Sequence, residues 1–306
     1  MVSRFVACVV ILLSISISGF SQARAAGADN LLLLDAARAG ERIVAVGERG
    51  SVLLSDDNGR TWRRAPSPTE STLTAVYFHD NKLGWATGHD AVILMTSDGG
   101  ETWQQSFFAP EKETPLLDVC FLNERQGFAV GAYGAFYESA DGGRTWKQRQ
   151  AFSDDLHKNS LACGTGAGLF IAGESGTVYR SSDSGQTWKR LASPYRGSYF
   201  GVLLLQDNSL LVFGLRGKIY RSSDRGMSWK PVRTDSRATL MGGLVLDDGR
   251  VVLVGHEGTV LVSGDQGKSF SLRKDTGGKA LSSVAAAGDG SLLLFGEAGA
   301  KKMVKW

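Results

Sequence analysis

The chain has 306 residues, with 39 glycines, 6 prolines and a formal net charge of +3. This length can bury a large hydrophobic core, and the abundant glycine suits many tight turns. The nearly neutral charge argues against nucleic-acid binding, which requires a broad positive surface. We therefore expect no nucleic acid among the partners.

The first 26 residues have the features of a secretory signal peptide. Arg4 provides a positive start, Val6 to Ile17 are almost all apolar, and Ala23 and Ala25 have the spacing that a signal peptidase requires. The apolar run is too short for a membrane span, which needs about 20 residues. We expect residues 27–306 to be periplasmic or otherwise exported, without an integral membrane span; the alternative is an uncleaved anchor.

The turn SADGGRTW at residues 139–146 belongs to a pattern, S/T-x-D-x-G-x-T/S-W/F, that occurs six times. Its central aspartates recur every 41 to 43 residues. They are Asp57, Asp98, Asp141, Asp183, Asp224 and Asp265. The aromatic residues that end the six turns are Trp62, Trp103, Trp146, Trp188, Trp229 and Phe270.

A second pattern precedes each turn, as in VGERGSVLLS, and a seventh copy, FGEAGAKKMVKW, lies at residues 295–306. Each repeat contains four short stretches rich in β-branched and aromatic residues, as expected for strands. Four strands in about 40 residues are typical of a β-propeller blade. The sequence thus predicts an all-β, seven-bladed β-propeller of four-stranded antiparallel blades in residues 27–306.

The predicted blades span approximately residues 31–66, 71–108, 115–150, 158–192, 198–233, 238–273 and 280–306. The seventh repeat lacks an outer strand. Residues 28–32 are expected to complete that blade and close the ring, and a three-stranded last blade is the alternative.

Each part of the recurring turn has a structural role. The aspartate can accept hydrogen bonds from nearby backbone N–H groups, the glycine can adopt positive φ, and the final aromatic residue fills the gap between blades. A calcium loop needs several carboxylates, whereas most of these turns offer one. We expect no metal and no cofactor. Cys120 and Cys163 could form a disulfide or remain two buried thiols.

The turns are identified as Asp-box (BNR) repeats, which resemble those of sialidases, where they are structural. The combined pattern GWATGHDAVILMTSDGGETW, residues 84–103, resembles the photosystem II stability and assembly factor family. This resemblance extends over essentially all of residues 27–306. It implies a propeller without catalytic activity that binds and stabilises a membrane or envelope protein during assembly. It also implies an arginine patch on the propeller.

Two alternatives remain open at this stage. A sialidase-like, carbohydrate-active propeller would need an arginine cluster, a Tyr–Glu nucleophile and an acid near the axis. The chain lacks the usual Arg-Ile-Pro segment and has no long inserted loops. A propeller that binds a small ligand is the other alternative. We expect a monomer that is not an enzyme.

Positive charge is concentrated in one sector. Residues 180–237 contain eight arginines and three lysines against four aspartates. Arginine and tyrosine often anchor interfaces, so this sector is predicted to bind the partner, although an ordinary solvated surface is the alternative. The candidate residues are Arg196, Arg216, Arg237, Tyr195, Tyr199, Arg180 and Arg221.

Overall fold

A computed structural model of the chain describes residues 31–164, 168–304 and 306. These residues form seven antiparallel sheets that follow one another in sequence order. The first strand of each sheet packs against the first strand of the next, and the first strand of the last sheet packs against that of the first sheet. The sheets therefore close into a ring. The predicted all-β, seven-bladed propeller is confirmed.

The strands of the first four blades are as follows. Blade 1 contains β1 (Leu33–Ala39), β2 (Arg42–Gly47), β3 (Val52–Ser55) and β4 (Arg63–Arg64), and blade 2 contains β5 (Leu73–Phe78), β6 (Gly84–Gly88), β7 (Ile93–Thr96) and β8 (Gln104–Phe107). Blade 3 contains β9 (Leu116–Phe121), β10 (Gly127–Gly131), β11 (Phe136–Ser139) and β12 (Lys147–Gln148). Blade 4 contains β13 (Lys158–Gly164), β14 (Gly168–Gly173), β15 (Val178–Ser181) and β16 (Lys189–Arg190).

The last three blades continue the same order. Blade 5 contains β17 (Tyr199–Leu204), β18 (Leu210–Gly214), β19 (Ile219–Ser222) and β20 (Lys230–Val232). Blade 6 contains β21 (Leu240–Val245), β22 (Val251–Gly255), β23 (Thr259–Ser263) and β24 (Ser271–Lys274). Blade 7 contains β25 (Leu281–Ala286), β26 (Leu292–Gly296) and β27 (Gly299–Met303). No helix among the described residues is both long enough and apolar enough to cross a membrane.

The core lies between the blades. The second strand of each blade is buried on both faces, which is why stretches such as Leu210–Gly214 are continuously apolar. Seven clusters of buried side chains fill the seven gaps between neighbouring blades. In the gap between blades 2 and 3, Trp85 stacks on Phe121 and is fully buried.

The six Asp-box turns share one hydrogen-bond arrangement between the third and fourth strands. In the third turn, the Ser139 hydroxyl donates to Asp141 Oδ1 at 2.9 Å and accepts from Gly143 N at 2.8 Å. Asp141 Oδ1 accepts from Thr145 N at 3.0 Å and Oδ2 from the Thr145 hydroxyl at 2.6 Å. These bonds from Thr145 lower the pKa of Asp141 to about 2.

The box also anchors the turn to the neighbouring blade. Gly143 has φ of 78°, and a Cβ there would lie 2.1 Å from Trp85 Nε1, so only glycine fits this close approach. The Trp85 indole donates to Gly142 O at 3.2 Å. The aromatic residues that end the turns pack into the gaps between blades: Trp62, Trp103 and Trp146 are buried, and Trp188, Trp229 and Phe270 are partly buried.

Blade 7 has three strands among the described residues, and contacts other than strand pairing join it to blade 1. The Ser282 hydroxyl donates to Leu33 O at 2.6 Å, and Lys302 Nζ donates to Asn58 O at 2.8 Å. Trp62 and Phe295 pack edge to face between the two blades, with ring centroids 5.9 Å apart.

Two predictions about the N-terminus fall mostly on residues 1–30, which lie outside the described residues. These are the signal peptide and the completion of blade 7 by residues 28–32. Leu31 and Leu32 are described and belong to no strand. The backbone N–H of Leu32 donates to Glu48 Oε1 of blade 1 at 3.0 Å.

Cys120 and Cys163 form a disulfide between the inner strands of blades 3 and 4. Their Cα atoms are 6.1 Å apart and the two residues are separated by 43 positions in the sequence. This resolves the two possibilities that the sequence left open, because the first strands of adjacent blades run side by side around the axis.

Asp141→Ala should lower the free energy of unfolding by about 1–2 kcal/mol, because the Thr145 N–H and the Ser139 hydroxyl lose their acceptor. Urea denaturation followed by tryptophan fluorescence measures this change. Asp235→Ala is the control, since Asp235 is exposed in a loop outside the boxes. Equal stability of the two variants would show that the box bonds contribute nothing.

Replacing both Cys120 and Cys163 with alanine should lower the free energy of unfolding by about 2–4 kcal/mol, because the unfolded chain gains freedom when the loop is no longer closed. Denaturation of the oxidised protein with and without dithiothreitol provides the same comparison. A reductant that leaves the midpoint unchanged in the wild type would contradict the prediction.

Candidate partner-binding surface

Six blades present an equivalent tight turn between their second and third strands, on the face opposite the Asp boxes. We call these the apex turns, and their face the apex face: Glu48–Gly50, His89–Ala91, Ala132–Gly134, Glu174–Gly176, Leu215–Gly217 and His256–Gly258. The middle residue of every apex turn has φ between 53° and 59°. Its backbone is constant whereas its side chain differs from blade to blade: Arg49, Asp90, Tyr133, Ser175, Arg216 and Glu257.

Three of the predicted arginines lie on neighbouring loops of the apex face. Arg196 lies on the linker between blades 4 and 5, Arg216 at the apex turn of blade 5, and Arg237 on the linker between blades 5 and 6. All three are exposed. Within the part of the chain that the structure describes, none of their guanidinium groups forms a hydrogen bond or an ion pair.

Backbone contacts bring these three loops together. Leu215 N donates to Ser198 O at 3.0 Å, which attaches the apex turn of blade 5 to the first linker. A Cβ on Gly217 would lie 2.5 Å from Ser236 O and 3.2 Å from Arg237 Cα, so the same turn also contacts the second linker. Arg196, Arg216 and Arg237 therefore flank one continuous surface, which we call the arginine surface.

The two predicted tyrosine anchors are not both on that surface. Tyr199 is fully buried in the cluster between blades 4 and 5, so its assignment as a binding residue was wrong. Burial raises the pKa of Tyr199. Tyr195 is partly buried beneath the arginines, where its hydroxyl donates to Leu215 O at 3.2 Å. Its ring packs 5.7 Å from that of Tyr199. The tyrosines hold the linker in place.

The prediction that groups Arg180 and Arg221 with the other arginines was also wrong. Both lie at the end of a third strand that leads into an Asp box, on the opposite face. Arg221 Nε donates to Gln266 O at 2.8 Å, and its guanidinium pairs with Asp207. The guanidinium of Arg180 lies over the Phe170 ring, 5.8 Å from the centroid.

A buried charge cluster lies where the linker DDLHKNS, residues 154–160, enters blade 4. Lys158 is fully buried, and its Nζ donates to Asp154 Oδ1 at 2.8 Å and Leu156 O at 2.6 Å. The Tyr179 hydroxyl donates to the other oxygen of Asp154. Burial lowers the pKa of Lys158, opposed by Asp154. The basic residue beside two aspartates in DDLHKNS was the available signal. The cluster braces the linker before blade 4.

Two aspartates line the channel along the propeller axis. Asp35 Oδ2 accepts from Val76 N of blade 2 at 2.9 Å, and Oδ1 accepts from the Ser283 hydroxyl of blade 7 at 2.8 Å. Asp118 Oδ2 accepts from Leu161 N of blade 4 at 2.7 Å. Both carboxylates therefore connect neighbouring blades.

Burial raises the pKa values of both carboxylates. Burial raises the pKa of Asp35 to about 6, against the opposing hydrogen bonds from Val76 and Ser283. Burial raises that of Asp118 to about 7, and the charge of Asp35 adds to the shift. The channel cavity around them is about 250 Å³. A pair of acids near the axis is one element expected of a glycosidase, but here their oxygens accept bonds from the propeller's own strands.

The described residues contain no group of three or more His, Cys, Asp or Glu side chains arranged to hold a metal ion. Each box aspartate receives its hydrogen bonds from its own turn, as Asp265 does from Ser263 and Ser269.

Residues 108–244 match the family model described as photosynthesis system II assembly factor YCF48. A 105-residue stretch is 35% identical to the chloroplastic photosystem II stability/assembly factor HCF136 of Cyanidioschyzon merolae. This stretch covers 32% of the chain and 23% of that relative's length. The chain resembles the photosystem II assembly factors. The family resemblance predicted from the repeats is thereby confirmed.

Solved structures similar to this assembly-factor-like chain share its propeller fold. YCF48 bound to a D1 peptide superposes with a TM-score of 0.72 at 18% identity, over 91% of this chain and 93% of that one. A streptogramin B lyase superposes with a TM-score of 0.76 at 12% identity, over 90% and 93% of the two chains. At such low identity these similarities establish the fold alone.

Asp35→Asn should remove a pH dependence from the stability of this assembly-factor-like propeller. Asparagine retains an acceptor for Val76 N–H and stays neutral. In the wild type, the raised pKa of about 6 means that stability is greatest below about pH 4 and falls as the pH rises through 6, when the buried carboxyl ionises.

Between pH 4 and pH 7, the free energy of unfolding of the wild type should fall by on the order of 3 kcal/mol more than that of Asp35→Asn. Urea denaturation at several pH values measures it, with Asp235→Asn as the control. If the free energy of unfolding changes with pH in the same way in the wild type and in Asp35→Asn, the pKa of Asp35 is not raised.

Proposed function

We propose that this protein is an exported, non-catalytic propeller that binds and stabilises a membrane or envelope protein during its assembly. The arginine surface is the proposed docking site. The observation that carries the proposal is the presence of three exposed arginines, Arg196, Arg216 and Arg237, on contiguous loops with no acidic partner in the described part of the chain.

The arrangement favours recognition of a protein segment. Arginine side chains on a rigid frame can pair with carboxylates through two parallel hydrogen bonds. Tyr195 and Tyr199 hold the first linker from beneath, so less conformational entropy is lost when a partner binds. Because blade 5 supplies the central turn, a peptide that crosses it would reach both flanking linkers.

The resemblance to assembly factors supports the same class of partner. One similar propeller, YCF48, is described as bound to a D1 peptide. We propose that this chain likewise binds a peptide segment of its partner. A binding role is also favoured by the axial carboxylates, because Asp35 and Asp118 accept hydrogen bonds from adjacent blades in place of a substrate.

Charge reversal at the docking site tests this function. The variant Arg196→Glu/Arg216→Glu/Arg237→Glu should reduce crosslinking to the partner by at least about tenfold, since exposed arginine anchors each contribute substantially to binding. The measurement is crosslinking in intact envelope followed by affinity purification and mass spectrometry. Thermal denaturation of each variant verifies that it is folded.

Arg49→Glu is the matched control. Arg49 occupies the same position of the apex turn in blade 1, is exposed and has a similar φ of 53°. It should leave the crosslinked partner unchanged. Equal loss of crosslinking in the triple variant and in Arg49→Glu would show a general charge effect. Unchanged crosslinking in the triple variant would exclude the arginine surface as the docking site. Hydrolysis of a glycan by the purified wild type would overturn the non-catalytic role.

A further inference from the structure

A second cavity lies at the Asp-box end of the axial channel and has a volume of about 570 Å³. It is lined by the ends of four consecutive inner strands, β21, β25, β1 and β5, which belong to blades 6, 7, 1 and 2. Its size falls within the range of pockets that bind ligands, about 300–1,000 Å³. The ring therefore leaves a ligand-sized space at the end of the channel that is opposite the apex face.

The walls of this cavity are mainly apolar. Phe78, Leu244 and Val245 line it, and each of these side chains remains partly exposed. Ala37 and Ala286 also line it, and their small side chains leave room between the strands. Contact between water and apolar side chains is unfavourable, so an apolar group that displaces water from this cavity would stabilise a complex. The walls thus favour an apolar ligand.

The inner strands also direct main-chain groups toward the axis. Leu246 N and Ala287 N donate to carbonyls of their own hairpins. Because main-chain groups alternate in direction along an antiparallel strand, the N–H and C=O of the preceding residues, Val245 and Ala286, point away from the hairpin and toward the axis. Phe78 has the equivalent pairing in β5. These three residues have no main-chain hydrogen bond on the axial side among the described residues.

The middle of the channel shows how such axial groups are satisfied elsewhere. Val76 N, two residues before Phe78, donates to Asp35 Oδ2 at 2.9 Å, and Val202 N of blade 5 donates to the Ser160 hydroxyl at 3.3 Å. At the Asp-box end, no side chain of the described residues takes this role. The inner strands belong to separate sheets and do not pair with one another. A strand edge with open N–H and C=O groups is a template for an added strand.

The rim of the cavity has an excess of negative charge. Its two arginines are paired: Arg38 lies 3.4 Å from Glu41 Oε1, and Arg250 Nε lies 2.7 Å from Asp248 Oδ2. Asp247 also lines the cavity, is exposed and forms no ion pair among the described residues. A ligand with a positive charge at the rim would therefore complement this surface.

We propose that this cavity binds an extended, apolar peptide segment of another protein, with a basic side chain next to the apolar residues. The peptide backbone adds to the open edge of an inner strand, as extended peptides add to the edges of other sheets. Its apolar side chains contact Phe78 and Leu244, and its basic side chain pairs with Asp247 at the rim. This site lies on the face opposite the arginine surface and does not depend on the proposed function.

The test is a titration of the full chain with the peptide acetyl-Lys-Val-Leu-Val-amide at constant ionic strength, measured by calorimetry and by ¹H–¹⁵N NMR spectra. The peptide should bind with saturation and shift the backbone N–H signal of Phe78, Val245 or Ala286. The same peptide N-methylated at its three apolar residues should bind about tenfold more weakly, because it cannot donate main-chain hydrogen bonds. Acetyl-Glu-Val-Leu-Val-amide should bind about fivefold more weakly, because the rim is acidic.

Two variants of the chain test the cavity itself. Ala286→Phe fills it and should weaken binding of the lysine peptide at least about tenfold. Ala140→Phe is the matched control, because Ala140 is exposed in the Asp box of blade 3, and it should retain wild-type affinity. Asp247→Asn alters only the exposed rim and should reduce the preference for the lysine peptide over the glutamate peptide about threefold.

Four outcomes would each overturn the proposal. They are no binding of the lysine peptide at millimolar concentration, equal affinity for the N-methylated peptide, equal affinity for the glutamate peptide, and wild-type affinity in a folded Ala286→Phe variant. If Ala286→Phe does not fold, the peptide series and Asp247→Asn still decide, because they leave the core of the propeller unchanged.

Discussion

The packing of blade against blade is the interaction on which the rest of the structure depends. A blade has apolar side chains on both faces of its second strand, so an isolated blade would leave one or both faces in water. Only a closed ring covers every face, and blade 7 must then meet blade 1. Phe295 packs against Trp62 across this gap, and the Ser282 hydroxyl donates to Leu33 O.

The two faces of the ring manage charge in different ways. On the Asp-box face, several arginines pair with carboxylates of the chain, as Arg42 does with Asp56 and Arg221 with Asp207, and the box aspartates are satisfied within their own turns. On the apex face, turns of constant backbone present side chains that differ between blades, and Arg216 and its neighbours remain unpaired among the described residues.

The axial aspartates illustrate how a feature typical of catalysis can have a structural role. Asp35 and Asp118 have raised pKa values and lie in a central cavity, as many catalytic acids do. Each also accepts a backbone N–H from the next blade, Val76 or Leu161, and so links inner strands that cannot pair as a sheet. The same burial that makes these bonds strong also disfavours the ionised carboxylate.

The sequence by itself determined the number of blades, the position of each Asp box and the family resemblance. These features depend on local chemistry: Asp141 bonds to Ser139 and Thr145, only two and four residues away, and the repeat places such a turn once per blade. The arginine loops were also recognisable, because an apex turn such as that of Arg216 follows its strand at a constant distance.

Only the tertiary structure decided which face each side chain reaches and what it contacts. Tyr199 and Arg196 are three residues apart, yet Tyr199 begins an inner strand and is buried between blades, whereas Arg196 lies on the preceding linker and is exposed. Arg180 and Arg221 look alike in the sequence, but one has a carboxylate partner in the described chain and the other does not. The Cys120–Cys163 disulfide likewise joins residues of different blades, and spacing alone could not decide between a bond and two thiols. Such contacts arise from the closure of the ring, which brings together residues about 40 positions apart.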